Sequence, residues 1–93
     1  MYDLEVTTKF KKDLKKIKMS AKDYELAVKV LRLLQKGGVD EIPDKMRPYP
    51  LKGNYKNNWE CHIKSDLLII WFQINSRQVI RLIRIGSHSD LFR

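Results

Sequence analysis

Two histidines, an aspartate and an arginine stand in this chain at positions where they can break a phosphodiester bond. His62 lies in the stretch Trp59-Glu60-Cys61-His62-Ile63-Lys64-Ser65-Asp66, and Arg84 ends an apolar run that leads through Gly86 to His88 and Phe92. Imidazole trades protons near neutral pH, and a guanidinium grips phosphate oxygens through paired donors. Cleaving RNA without a metal needs a base for the 2′-hydroxyl proton and an acid for the leaving 5′-oxygen. It also needs a cation to offset the charge added in the phosphorane. His62 or Asp66 can be the base. A carboxylate near its ordinary pKa of about 4 is a weak base, so Asp66 has the alternative task of orienting His62. Arg84 suits the clamp and His88 the acid, while Phe92 can stack on a base. Each also has a plainer reading: Asp66 as a turn residue, Arg84 as an edge-strand charge, Phe92 as a plug of the core. Two histidines without a carboxylate cluster fall short of a catalytic zinc set, so no metal and no other cofactor is expected.

The elements that must position these residues follow from the apolar pattern. Ninety-three residues, 43% of them hydrophobic, allow one domain over 1–93 with one modest core. Tyr2, Leu4 and Val6 alternate with Asp3 and Glu5, as in a strand with one buried face. Thr7 or Thr8 caps a helix carrying Phe10, Leu14 and Ile17. Ser20, with Asp23 three residues on, caps a second one. Its stripe, Tyr24, Ala27, Val30, Leu31 and Leu34, runs to the stop at Gly37-Gly38. The very short turn near Met19 makes the two an antiparallel hairpin. Pro43, Pro48 and Pro50 mark 37–50 as a loop. Trp59, Cys61 and Ile63 give a one-sided strand, Ser65-Asp66 a turn, and Leu67-Leu68-Ile69-Ile70-Trp71-Phe72 a central strand covered on both faces. After a turn at Asn75-Ser76-Arg77 the last strand spans 79–85, and Ser87 caps one helical turn. The class is α+β: an N-terminal strand, a two-helix hairpin, then a three-stranded antiparallel meander.

Charge narrows the partners. The formal net is +8, and residues 7–36 hold ten basic residues against Asp13, Asp23 and Glu25. The plain reading is a solvated helical face; the functional one is a footprint for a polyanion, either nucleic acid or an acidic partner protein. Lysine outnumbers arginine there, which favours loose phosphate contacts over base reading. Lys11, Lys12, Lys15 and Lys18 are the candidate contacts. No apolar run nears the ~20 residues that span a bilayer, and the N-terminus lacks the apolar core of a signal peptide. The single cysteine, Cys61, excludes an internal disulfide and agrees with the reducing cytoplasm.

These residues resemble the YafQ branch of the RelE-like bacterial toxins. The resemblance rests on Pro50-Leu51-Lys52-Gly53, on His62 and Asp66 four apart, and on the ending Arg84, Gly86, Ser87, His88, Leu91, Phe92. It covers essentially the whole chain. It implies a microbial-ribonuclease-like fold, cleavage of messenger RNA in the ribosomal decoding site, and neutralisation by a cognate antitoxin. Tyr49 departs from the pattern, since family members often carry histidine immediately before Pro-Leu-x-Gly. With an unperturbed pKa of about 10, Tyr49 is a poor proton acceptor, though it and Lys52 can still contact substrate. Two other readings stay open: a gyrase-inhibiting toxin of the related ParE branch, and a non-catalytic RNA-binding module.

Overall fold

The structure is a computed structural model and describes residues 1–92. Its elements are β1 (Asp3–Val6), α1 (Thr8–Lys16), α2 (Ala21–Gly37), β2 (Tyr49–Pro50), β3 (Asn58–Lys64), β4 (Leu67–Ile74), β5 (Val79–Gly86) and α3 (His88–Leu91), with short 3₁₀ turns between. The caps are those the sequence announces. Thr7 Oγ1 accepts the Phe10 N–H and donates to the Leu82 carbonyl, so one hydroxyl starts α1 and ties it to β5. Ser20 accepts the Asp23 N–H at the start of α2. Gly38 ends α2 at φ +69°, and a Cβ there would come within 2.7 Å of the Gln73 amide.

The five strands run in the order β1-β5-β4-β3-β2, antiparallel except for the β1–β5 pair. The count exceeds the expected four because 37–50 is not all loop. Tyr49 and Pro50 pair with Glu60 and Trp59 of β3. Pro50 donates no hydrogen bond and is accommodated at the sheet edge, where none is required of it. Both helices cover one face of the sheet. There Phe10, Val30 and Leu34 pack on Cys61, Ile69, Trp71 and Ile85. The opposite face carries a smaller cluster of Leu68, Ile70 and Leu91, with Leu51, Tyr55, Ile83 and Phe92 against it. β4 is therefore buried on both sides, as its unbroken apolar run requires.

Two details depart from the expected helical stripes. On α1 the buried residues are Phe10 and Asp13, while Leu14 is 38% exposed. The inward face steps 10, 13, 17 because Asp13 turns in to meet β5. Tyr24 of α2 is 60% exposed. With Leu14 it borders an apolar cleft between the helices instead of entering the core.

Register shifts in the sheet then aim the side chains. Ile70 lies opposite Arg84 but Trp71 opposite Leu82, which leaves Ile83 as an extra residue in β5. Leu82 and Ile85 both belong to the helix-covered core, so the bulge lets Ile83 and Arg84 turn away from it together.

Candidate active site

Arg84 is the most tightly held side chain of the expected set. Its Nε donates to Asp13 Oδ2 at 2.7 Å and its Nη2 to Asp13 Oδ1 at 3.0 Å. Nη1 donates to the Tyr55 hydroxyl at 3.1 Å. Asp13, 7% exposed, also accepts the Ile85 N–H at 3.0 Å. The pairing of β1 with β5 ends at Val6 and Leu82, so the α1 carboxylate caps backbone that no strand reaches. The hydrogen bonds to Asp13 raise the Arg84 pKa further, against the opposing effect of burial, and the guanidinium is charged at neutral pH. Of its five N–H groups, one on each terminal nitrogen has no partner among the described residues and is available to a ligand.

A line of rings continues from this pair. Tyr55 meets Phe92 edge-on at 5.7 Å between centroids, and Phe92 lies 4.8 Å from the His88 ring. His88 and Phe92 are four apart, so the single turn of α3 brings them to one side. That turn is capped twice: Ser87 Oγ accepts the Asp90 N–H, and Asp66 Oδ1 accepts the His88 N–H at 3.2 Å. Gly86 lets the turn fold back, since a Cβ there would sit 3.3 Å from Leu91 Cδ2. Asp66 thus engages the backbone of His88, and among the described residues it makes no bond to His62.

His62 is set apart from this line. It lies opposite Leu68, which lies opposite Gly86, so two strand spacings separate it from the base of α3. That is roughly 10 Å across the sheet. The half-buried His62 borders a depression at the open edge of β3 together with Lys45 and Arg47. Tyr49 and Lys52 are exposed, and so are Lys11, Lys12, Lys15 and Lys18. Those lysines belong to α1 and the turn after it, on the helix-covered side.

Three residues near the site escaped the reading of the sequence. Glu60 is half-buried, with Tyr49 opposite it on one side and Ile70 on the other, and Ile70 lies opposite Arg84. Residues directly opposite one another share a face, so Tyr49, Glu60, Ile70 and Arg84 form one row. Its signal was available: Glu60 is two residues from His62 on a one-sided strand. Asp13 had a fainter one, as the lone acid of α1, placed three residues after Phe10. Tyr55 had none, lying in an irregular segment after Gly53. Cys61 is buried, and burial pushes its thiol up to about 12, which leaves it unreactive.

Among the described residues no three His, Cys, Asp or Glu side chains come together to hold a metal ion. None of their helices is long and apolar enough to cross a membrane.

Comparison with known proteins sets this geometry in context. Residues 2–93 match the family model of the bacterial toxin of type II toxin–antitoxin system, YafQ. The fold is similar to that of YafQ from E. coli strain BL21(DE3), at 24% identity and TM-score 0.86, with 100% of each chain covered. It is also similar to the toxin in the E. coli DinJ–YafQ complex, at 25% identity and TM-score 0.84, again over 100% of each chain. A metal-bound toxin from Helicobacter pylori is 34% identical with TM-score 0.79, covering 99% of this chain and 100% of that one. A search of curated protein sequences finds no match.

Proposed function

The chain belongs to the YafQ family of type II toxin–antitoxin toxins, and from that premise we propose that it is a metal-independent endoribonuclease that cuts messenger RNA on the ribosome and so stops translation. The observation that carries this reading is the unbroken line Asp13–Arg84–Tyr55–Phe92–His88, which joins a fixed cation to a solvent-facing imidazole through two aromatic rings. In this reading the two free N–H groups of Arg84 meet the non-bridging phosphate oxygens, where added charge develops in the transition state. His88 protonates the departing 5′-oxygen. The ring of Phe92 stacks on a base beside the scissile bond, which sets the attack angle. The proton acceptor for the 2′-hydroxyl comes from the same face of β3, as the imidazole of His62 or the carboxylate of Glu60. Asp66 serves by holding α3. A gyrase-directed toxin would leave His88 and Phe92 without a task.

The exposed lysines of α1 support docking on ribosomal RNA. DinJ–YafQ is a toxin–antitoxin complex; by analogy a cognate antitoxin, acidic to match a net charge of +8, neutralises this chain. The test is primer-extension mapping of cuts in a translated message, with the same RNA lacking ribosomes as control. General acid–base groups contribute about 10²–10⁴-fold. His88→Ala should therefore lose at least about a hundredfold in single-turnover rate while the protein still folds. A His88→Ala rate near wild type would remove the imidazole from the mechanism.

A further inference from the structure

Asp13 gives up solvent almost completely, and among the described residues its side-chain partners all belong to β5. Three donors converge on it: Arg84 Nε at 2.7 Å, Arg84 Nη2 at 3.0 Å and the Ile85 N–H at 3.0 Å. Here the whole inner edge of the guanidinium is occupied, and the Tyr55 hydroxyl takes a further N–H from Nη1 at 3.1 Å. With Nε, Nη1 and Nη2 all engaged, the plane of the guanidinium cannot swing about its stem. The two N–H groups left over must then point where the plane dictates.

We propose that Asp13 is a positioning residue for Arg84, holding its inner edge so that the remaining donors on Nη1 and Nη2 present a fixed pair to a phosphate. The inference rests on the ribonuclease reading for the identity of that phosphate. It explains why an acid stands alone among the lysines of α1 and why the β5 bulge turns Arg84 toward the face that α1 and α2 leave uncovered. It also gives Tyr55 a role as the second stop on the same plane. An arginine free to rotate would sample many orientations, and a displacement of about 1 Å from the productive one can cost about 10²-fold.

The test is a double-substitution cycle read per folded molecule. Asp13→Asn, with folded fraction set by thermal unfolding, should lower kcat about 10²-fold and change KM less than about threefold. Combined with Arg84→Ala it should add nothing to the loss already caused by Arg84→Ala. Tyr55→Phe should show a smaller loss, about tenfold, that also vanishes in the Arg84→Ala background, and it serves if Asp13→Asn does not fold. A merely structural Asp13 would lower the melting temperature and leave kcat per folded molecule unchanged, which overturns the proposal. Multiplicative losses in the cycle would overturn it as well. Growth arrest at matched toxin levels runs the same cycle without assuming a substrate. If the wild type arrests growth but cuts no RNA, the ribonuclease reading fails. The positioning role then stands or falls on whether Asp13→Asn relieves arrest as Arg84→Ala does.

Discussion

His88 is held by its backbone while its exposed ring leans on that of Phe92, and this decides what Asp66 can do. The Asp66 carboxylate accepts the His88 N–H, the first unpaired donor of α3. Asparagine keeps an accepting oxygen in that place and alanine does not. If Asp66 acts as a cap, Asp66→Asn should cost less than about tenfold in cleavage rate, and Asp66→Ala should destabilise α3 by about 1 kcal/mol. If it were the base, Asp66→Asn would cost about 10²–10⁴-fold, so single-turnover rates of the two variants separate the roles. Arg84 carries the opposite lesson. Arg84→Ala strands a buried carboxylate, which typically costs about 3–5 kcal/mol, so its melting temperature should fall well below that of His88→Ala. Thermal unfolding followed by circular dichroism checks this, and equal melting temperatures would contradict the Asp13–Arg84 geometry. Arg84, His88 and Phe92 were legible because nine consecutive residues bring them together. Asp13 and Tyr55 lie 71 and 29 residues from Arg84, and only tertiary structure reveals such a bond.

Elements were more readable than their registers. Thr7, Ser20, Gly38 and Ser87 cap helices where local chemistry places them. By contrast β2 and the bulges depend on which strand lies alongside, and no local pattern fixes that. One long-range tie between elements carries a pH signature. Lys64, at the end of β3, bonds the Asp23 carboxylate in the first turn of α2 at 2.8 Å. That hydrogen bond is the main cause holding the Asp23 pKa below its ordinary value of 3.8. A lowered folded pKa means stability that is fully present above the ordinary value and lost as pH falls through the folded one. Lys64→Met should therefore melt below wild type at pH 7, and the gap should close as pH drops below about 4. Thermal melts across pH 3–7 measure it; a gap unchanged at pH 3 would show that Lys64 acts by packing alone.

For the molecule as a whole, the pairing of acids sharpens a charge asymmetry that composition only suggests. The sole acid of α1 is spent on Arg84, so the exposed surface of that helix carries lysine with no further carboxylate of the helix to offset it. Lys11 and Lys15 lie four apart on one side of α1 with Lys12 beside them, and Lys18 follows in the turn after the helix. Lysines so arranged neutralise phosphates as point charges and read no bases. They also lie on the covered side of the sheet, whereas the row from Tyr49 to Arg84 lies on the other. Docking and cutting are thereby assigned to different surfaces, joined at one point by Asp13. Reversing the four lysines to glutamate should weaken ribosome association and reduce the slope of log affinity against log salt by about 0.7–0.9 for each phosphate no longer neutralised. The positions of the cuts should stay where they were, because nothing near His88 changes. Sedimentation with ribosomes over a salt series gives the slope, and primer extension gives the cut sites. An unaltered affinity would reduce α1 to a solvated face, and shifted cut sites would mean that the helix takes part in choosing them.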